Sequence, residues 1–492
     1  MSTATADHQT ASAGRRNGAT TGRRLAPHPD RLLPPDPGVR AIARSIYSSV
    51  AGAPIYSPHG HVDAALIADN RPFGNPAELL ITPDHYVTRL IHAHGIGLDQ
   101  LGVKNPDADP REIWRLFCSH WDVFAGTVVR YWFESELSEV FGITDVPSAE
   151  TADQIYDQLT EQLAKPEFHP RELFDRFNIA VLATTDDPSA DLAAHKTLAA
   201  DPDFHGAVVP TFRADRYMSP DVTGWKGYLD ELGQAADIDT GSYAGLIDAL
   251  KARRAYFKEC GATASDSGMP DAYAEPLPDA ECERIHQAGI AGTVTAEDAA
   301  AYRRNMLYQL AAMAAEDGLV MQLHADVVRN YDDASFQRFG PDTGHDLPGP
   351  STFTRGLRRL LNDFGRSETF RLVLFTTDET AFSREIAPLA GFYPSVYVGA
   401  PWWFIDTPGA IARFRAAAID SAGFSKTSGF IDDTRAYCSI PARHDMSRRV
   451  DAGFLAELVA THQLAEDEAH DIAAGLVGRI PVNTFRLDRY AR

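Results

Sequence analysis

Eight short apolar runs divide the chain, and each run ends in polar residues that can take part in chemistry. Between most of the runs lie Ala- and Leu-rich stretches with helical spacing, for example 189–200, 296–316 and 408–421. The predicted strands are 53–57, 178–183, 207–210, 261–264, 319–323, 372–375, 396–398 and 430–431. A strand and a helix repeated eight times are typical of a parallel sheet that closes on itself. The pattern therefore predicts an α/β fold, a (β/α)8 TIM-like barrel with its reactive residues at the C-terminal strand ends.

Two segments do not fit this repeat. The interval of about 64–176 is too long for one barrel helix and carries aromatic helical segments. We therefore expect a helical insertion after strand one, covering the mouth of the barrel. Residues 1–30 are rich in Ala, Thr, Ser, Gly and Arg, and we expect them to be a disordered tail. The barrel with its insertion would then occupy residues 31–492.

Composition narrows the function classes. The chain has 492 residues and a formal net charge of −22, which argues against nucleic acid or an anionic membrane surface as the main partner. No apolar stretch approaches the ~18 residues that a membrane span needs. Four widely spaced cysteines, at 118, 260, 282 and 438, favour neither a disulfide framework nor a thiolate zinc site. Arginine pairs near the start of the chain precede no apolar stretch, so we expect a cytoplasmic protein.

The first predicted strand delivers two histidines, His59 and His61. Side chains two apart on a strand face the same way, which inside a barrel is the lumen. Two imidazoles there suit a divalent first-row ion, with zinc the leading choice, and a carboxylate from another strand would complete the ligands. The alternative is a turn whose histidines are exposed to solvent.

The last predicted strand ends in Asp432, Asp433, Thr434 and Arg435. Adjacent aspartates cannot both face the lumen, whereas Asp433 and Arg435 share one face. The pair could be a structural salt bridge. The functional interpretation gives Asp433 to a metal ion and to proton transfer, and Arg435 to an anionic substrate, because a guanidinium binds carboxylates with two parallel hydrogen bonds.

An ordered series of motifs resembles the uronate isomerase (glucuronate isomerase) family of the amidohydrolase superfamily. The matching segments are Pro58-His59-Gly60-His61-Val62-Asp63, Asp84-His85-Tyr86-Val87-Thr88-Arg89, Thr184-Thr185-Asp186-Asp187-Pro188, Pro210-Thr211-Phe212-Arg213, Gln322-Leu323-His324, Pro401-Trp402-Trp403-Phe404 and Asp433-Thr434-Arg435. Each segment alone is weak evidence, but their common order is specific. The resemblance covers roughly residues 30–490.

This resemblance implies a metal-dependent aldose–ketose isomerase of hexuronates. The reaction would convert D-glucuronate to D-fructuronate, D-galacturonate to D-tagaturonate, or both, by proton transfer from C2 to C1 through a cis-enediol. The implied metal ligands are His59, His61 and Asp433; the catalytic residues are Asp433, Tyr86 and Arg435; the substrate-binding residues are His85, Arg213, Asp266, His324 and Arg435. Without the resemblance, His85 would be read as a surface histidine and Tyr86 as a packing aromatic. We expect Trp402 and Trp403 to be walls of the barrel mouth.

The chain also departs from the family pattern. Ser267 stands where a histidine is usual, Asp326 occurs near a usual glycine, and Ala214 replaces a proline. The departures leave two alternatives open: a metal-dependent hydrolase of the same superfamily, or a catalytically inactive barrel that binds sugar acids. No second histidine-rich cluster is evident for a binuclear hydrolase site, which favours isomerisation. The preferred uronate, the metal and the oligomeric state stay open, with a homo-oligomer as one alternative.

Overall fold

The computed structural model describes residues 24–491 and shows a mixed α/β protein with parallel sheets. Its strands are β1 (Ile55–Ser57), β2 (Ile179–Ala183), β3 (Ala207–Val209), β4 (Thr211–Arg213), β5 (Ala264–Met269), β6 (Val320–Ala325), β7 (Val327–Val328), β8 (Leu347–Pro348), β9 (Leu372–Phe375) and β10 (Val396–Val398). Its α-helices are α1 (Pro37–Val50), α2 (Ala64–Asp69), α3 (Pro76–Leu80), α4 (His85–His92), α5 (Pro110–Ser119), α6 (Val128–Ser135), α7 (Ala152–Leu163), α8 (Pro170–Arg176), α9 (Ala193–Ala200), α10 (Trp225–Ala236), α11 (Tyr243–Glu259), α12 (Asp279–Ile290), α13 (Ala296–Asp317), α14 (Asp333–Phe339), α15 (Phe353–Gly356), α16 (Arg358–Phe364), α17 (Glu379–Ala381), α18 (Ala387–Phe392), α19 (Pro408–Ala422), α20 (Ile440–Ala460), α21 (Glu466–Ala474) and α22 (Ile480–Phe485).

The parallel strands form two sheets, in the orders β1-β2-β3 and β10-β9-β6-β5-β4, and β7 pairs with β8 in an antiparallel ribbon. Strands β3 and β4 are one strand interrupted at Pro210, which has no backbone N–H. Across this break the amide of Asp186 donates to the carbonyl of Thr211 at 2.9 Å, and the amide of Arg213 donates to the carbonyl of Asp186 at 3.0 Å. A parallel ladder therefore continues from β1 to β10.

The segment 427–434 lies between the two ends of this ladder. The amide of Ser428 donates to the carbonyl of Val398 at 2.9 Å, and the amide of His61 donates to the carbonyl of Thr434 at 3.1 Å. The prediction of an eighth strand at 430–431 is wrong, because the segment has no strand ladder of its own. Its backbone takes left-handed φ values, +76° at Gly429 and +40° at Asp433, which an extended strand does not accommodate.

The fourth predicted strand is displaced along the chain. The sequence placed it at 261–264, whereas β5 begins at Ala264 and pairs with β6 as far as Met269. Its polar residues Ser265, Asp266 and Ser267 are buried. The strand thus continues through residues that the sequence analysis placed after its end. Apolar runs do not reveal a strand whose buried side chains are polar.

Helices α2 to α8 fill the interval between β1 and β2, in agreement with the predicted helical insertion. Helix α4 begins after Asp84, whose carboxylate accepts from the amide of Tyr86 at 2.9 Å. This N-cap satisfies an amide in the first turn and fixes where the helix begins. As a result, His85 and Tyr86 occupy the first turn of α4.

Two further features were not predicted. A second excursion from the alternation of strands and helices, residues 326–352, follows β6 and carries β7, α14 and β8. Most of the predicted N-terminal tail lies outside the described residues, but Leu25 is buried and its amide donates to the carbonyl of Thr144 at 2.7 Å. The packed chain therefore includes residues that the sequence assigned to the tail. Within residues 24–491, no helix has the length and apolar character to cross a membrane.

Candidate active site

Side chains from several strand ends and from both excursions meet at a cavity of about 180 Å³. Its wall consists of His59, His61, His85, Thr185, Arg213, His324, Arg329, Asp342, Trp402, Trp403, Asp433 and Arg435. All predicted site residues lie on this wall except Tyr86 and Asp266, which stand behind it. The predicted walls of the mouth, Trp402 and Trp403, both line the cavity.

Three of the wall residues form a candidate metal site. Oδ1 of Asp433 lies 3.3 Å from Nε2 of His59 and 3.1 Å from Nε2 of His61. An ion with tetrahedral bonds of 2.0–2.1 Å would space its ligand atoms about 3.3 Å apart, so both the donor set and the spacing fit a divalent ion. The fit has a second support: Oδ1 is buried and has no hydrogen-bond partner among the described residues.

The charge states in this group follow from burial and from the close contacts among its members. Burial would raise the pKa of Asp433, but the neighbouring His59 and His61 outweigh it and hold that pKa well below its ordinary value. Burial lowers the pKa of His61, whereas Asp266 and Asp433 outweigh burial at His59 and raise its pKa. An ionised carboxylate and a neutral imidazole are the forms that bind metal. The left-handed φ of +40° at Asp433 is strained for a non-glycine residue and turns the chain at this point.

A second group of possible ligands overlaps the first. The ligand atoms of His59, Asp266 and His324 lie within 4.8 Å of one another. No spacing of residues along the chain indicated such a cluster. A guanidinium nitrogen of Arg213, however, lies 3.1 Å from Oδ2 of Asp266 and already supplies positive charge there. The first group is therefore the better candidate for an ion, and Asp266 already has a cationic partner.

Asp266 holds two wall residues in place. Its Oδ1 lies 2.7 Å from Nδ1 of His324, whose ring stacks on Phe375 with centroids 4.2 Å apart. Burial lowers the pKa of His324 to about 4, even against the carboxylate beside it. His324 is therefore neutral near pH 7, donates from Nδ1 to Asp266 and has Nε2 without a partner among the described residues. The second contact of Asp266, to Arg213, holds the guanidinium group of Arg213 on the cavity wall.

The loop after β10 docks on the first turn of α4. The indole N–H of Trp403 donates to Nε2 of His85 at 2.7 Å, and the amide of Phe404 donates to the hydroxyl of Tyr86 at 3.0 Å. Both loop residues have positive φ, +33° and +66°, a conformation that persists only where surrounding contacts enforce it. Burial, with a contribution from Arg435, lowers the pKa of His85 to about 3. His85 is thus a neutral wall residue whose proton is on Nδ1.

Tyr86 is turned away from the cavity. Its hydroxyl donates to Oδ1 of Asp406 at 2.8 Å, and Arg443 lies 3.2 Å from the other oxygen of the same carboxylate. Burial, reinforced by Asp406, raises the pKa of Tyr86 well above its ordinary value. The phenol therefore keeps its proton and is bound to a partner that the sequence did not indicate.

Three arginines line the cavity, and each of them has a carboxylate partner. Arg435 donates from Nη2 to Oδ2 of Asp342 at 3.1 Å. Arg329 lies 3.7 Å from the other oxygen of Asp342 and 3.1 Å from Asp346. With Arg213, this makes three guanidinium groups on the wall of one small cavity. Such a wall favours a carboxylate-bearing ligand.

Comparison with known proteins agrees with this geometry. The family model described as glucuronate isomerase matches residues 39–479. The chain belongs to the glucuronate isomerase family. The resemblance inferred from the motifs is thereby confirmed. A uronate isomerase of Corynebacterium efficiens is 49% identical over 94% of this chain and 99% of its own length. A uronate isomerase of Cutibacterium acnes is 50% identical over 93% and 98% of the two chains. The crystal structure of glucuronate isomerase from Caulobacter crescentus has a TM-score of 0.93 at 40% identity and covers 96% of this chain and 99% of its own.

In this member of the glucuronate isomerase family, the sequence departures lie outside the cavity wall. Ser267 is buried in β5, and Ala214 is buried beneath β4. Asp326 accepts from the amide of Thr352 at 2.9 Å and from its hydroxyl at 2.7 Å, which ties together the two ends of the excursion 326–352. These substitutions therefore change the support of the site and not its lining.

Sequence reasoning missed four residues around the site: Arg329, Asp342, Asp406 and Arg443. The first two lie in the excursion after β6, where the only signal was a charged segment without apolar periodicity. The other two come from a loop and from α20, far apart in the sequence. For Asp432 the outcome is as expected for neighbouring aspartates: its Oδ2 lies 3.0 Å from His444, away from Asp433's partners.

Proposed function

We propose that the protein is an aldose–ketose isomerase of hexuronates. The substrates would be D-glucuronate, giving D-fructuronate, and D-galacturonate, giving D-tagaturonate. The observation that carries the proposal is one cavity that combines a His-His-Asp cluster with three guanidinium groups. The membership of the glucuronate isomerase family, over residues 39–479, supports the same reaction.

The cofactor we propose is one divalent metal ion, with zinc the leading choice, held by His59, His61 and Asp433. Such an ion would act as a Lewis acid toward the oxygen atoms of the sugar and would make the C2 proton easier to remove. The imidazole pair and the carboxylate hold the ion on one side of the cavity. The remaining wall is then left to the sugar.

Asp433 is the base in this proposal. The imidazoles approach only its Oδ1, which leaves the second carboxylate oxygen for the substrate. It removes the proton from C2 of the open-chain aldose while O1 gains a proton, which gives a cis-enediol. It then returns the proton to C1 while O2 loses its hydroxyl proton, which gives the ketose. A positioned base of this kind contributes about 10² to 10⁴ in rate.

The other wall residues bind and orient the substrate. Arg435, with Arg213, binds the carboxylate and stabilises developing negative charge. His85 donates from Nδ1 and His324 meets the hydroxyls with Nε2, since neither atom has a partner among the described residues. Asp266 acts through His324 and Arg213. Tyr86, which the resemblance implied as catalytic, would act through the loop after β10, because its hydroxyl holds the amide of Phe404 and the carboxylate of Asp406.

We further propose a closed (β/α)8 barrel, with the segment 427–434 in the place of the eighth strand. Hydrogen bonds from this segment to Val398 on one side and from His61 on the other side support closure. Four unpaired cysteines are consistent with a reducing, cytoplasmic setting. A homo-oligomer is compatible with this arrangement.

The main alternatives make different demands on the cavity. A metal-dependent hydrolase commonly needs a second ion, but the overlapping group already has Arg213 at its carboxylate. An inactive sugar-acid-binding barrel is motivated by Ser267 and Asp326, yet neither lines the cavity. Turnover separates the isomerase from the inactive barrel, and the nature of the product separates it from the hydrolase.

The test is to incubate the purified, metal-loaded protein with D-glucuronate, D-galacturonate and their methyl glycosides and to follow products by ¹³C NMR. The proposal predicts ketose signals from at least one free uronate and no change in the glycosides, which cannot open to the aldehyde. Release of methanol from a glycoside would favour a hydrolase. Absence of any product from metal-loaded protein would favour the inactive barrel.

A further inference from the structure

The excursion 326–352 places an acidic side chain among the arginines of the cavity. Asp342 lines the cavity, and it faces Arg435 and Arg329. Its Oδ2 accepts from Arg435 at 3.1 Å, and its Oδ1 lies 3.7 Å from Arg329. One carboxylate thus turns each of its oxygen atoms toward a different guanidinium group.

The contact between Asp342 and Arg435 is an ion pair that remains partly exposed to solvent. Burial would raise the pKa of Asp342, yet Arg435 and Arg329 outweigh it and hold the pKa below its ordinary value. The side chains of Asp342 and Arg435 nevertheless keep 44% and 35% of their exposure. Asp342 also has a left-handed φ of +62°, which is uncommon for a residue with a side chain. An ion pair of this kind is weak enough to be exchanged for another.

We propose that Asp342 is an internal competitor for Arg435, which the carboxylate of an incoming uronate must displace. This inference rests on the proposed function, in which Arg435 binds the substrate carboxylate. Asp342 occupies the guanidinium when no substrate is present, so a ligand reaches Arg435 only by displacing it. The residue lowers the affinity of ligands that need Arg435 and takes no part in the proton transfer.

The competition follows from the exchange of Asp342 for a ligand at Arg435. A uronate replaces one carboxylate at Arg435 by another, so the guanidinium remains paired. A neutral sugar that reaches the same place separates Arg435 from Asp342 and offers no charge in return. Asp342 therefore weakens the binding of every ligand that needs Arg435, but a neutral ligand has no ion pair to offset the loss.

The test uses Asp342→Asn, because asparagine tolerates the left-handed φ and keeps the shape of the side chain. The probes are D-gluconate, an anion that lacks the aldehyde, and D-glucitol, its neutral counterpart, each titrated into metal-loaded protein by NMR. For a half-exposed ion pair, we expect D-gluconate to bind about two- to fivefold more tightly to Asp342→Asn. Asp333→Asn removes the same charge from the exposed first turn of α14 and should leave the affinity unchanged.

Two further variants separate this inference from the proposed function. Arg435→Met should weaken D-gluconate, and Asp342→Asn in that background should bring no tightening. Unchanged or weaker D-gluconate binding in the single variant Asp342→Asn overturns the competitor role, and a parallel weakening of D-glucitol would make Asp342 a ligand of sugar hydroxyls. If Arg435→Met leaves D-gluconate affinity intact, the carboxylate-binding role of Arg435 itself is wrong.

Discussion

The hydroxyl of Tyr86 donates to Asp406 at 2.8 Å and does not face the cavity that the proposed metal ligands line. Arg443 holds the other oxygen of Asp406 at 3.2 Å, and the amide of Phe404 donates to the hydroxyl of Tyr86. The hydroxyl therefore has two direct partners in the loop after β10, and Arg443 of α20 supports one of them. A group held in this way acts on the reaction through its orientation and its neighbours.

This arrangement predicts coupled effects of two substitutions. Tyr86→Phe removes the donor, and Asp406→Asn replaces the charged acceptor with a neutral amide. Because both changes break one hydrogen bond, the double variant should lose about as much kcat/KM as the more damaging single variant. Purely additive losses would show that the two residues act separately. Thermal unfolding of each variant controls for damage to the fold.

The second prediction concerns the metal site. His59→Ala combined with His61→Ala should remove bound metal, because two of the three proposed ligands are lost. Elemental analysis should fall from one ion per chain to near zero, while circular dichroism remains that of the folded protein. His94→Ala, which removes an exposed histidine of the same insertion region, is the matched control. Unchanged metal content in the double variant would contradict the assignment.

The third prediction concerns recognition of the carboxylate. Arg435→Met should lower kcat/KM for D-glucuronate by about 10- to 100-fold, since a charge-assisted hydrogen bond is lost. The loss for the neutral aldose D-glucose should be much smaller. Arg435→Lys should restore part of the activity, because an ammonium group lacks the planar fork of the guanidinium. Equal losses on both sugars would show that Arg435 has another role.

The fourth prediction concerns the pH dependence of His85. Its pKa is lowered to about 3, mainly by burial, so the ring should stay neutral in the folded protein. An unfolded histidine titrates near pH 6.5, so below that pH the unfolded chain binds a proton at His85 that the folded chain does not. The stabilising contribution of His85 is therefore present above pH 6.5 and is lost as the pH falls.

The measurement is NMR of the His85 ring between pH 5 and 8, where its signals should not move. His85→Gln should also make the free energy of unfolding fall less steeply below about pH 6.5. A titration midpoint near 6.5 in the folded protein would show that His85 is not buried in this way.

The sequence predicted best those features that depend on neighbouring positions along the chain. His59 and His61 both approach Asp433 and line one cavity with Arg435, as the sequence analysis expected, although none of the four residues lies in a strand. The insertion was evident because its length exceeds one barrel helix. The parallel α/β fold followed from the alternation of apolar runs with helical stretches.

The remaining features depend on tertiary contacts or on unusual backbone. Asp406 and Arg443 meet Tyr86 only after three distant segments pack, and no local pattern encodes that meeting. The prediction of an eighth strand at 430–431 is wrong because Gly429 and Asp433, on either side of it, adopt left-handed φ values. The fourth strand was misplaced because β5 buries polar side chains, which hydrophobic patterning treats as a turn.

The central claim is that Asp433 moves a proton between C2 and C1, and isotope exchange tests it most directly. In deuterium oxide, the enzyme should give ketose with label at C1, to the extent that the base exchanges with solvent. Asp433→Asn that retains metal should lose exchange at C2 by about 10² to 10⁴ in rate. The account is contradicted if that metal-bound variant exchanges C2 at the rate of the unmodified enzyme. It is also contradicted if substrate deuterated at C2 keeps all its label in the product and the rate shows no dependence on a titrating base, as a hydride transfer would require.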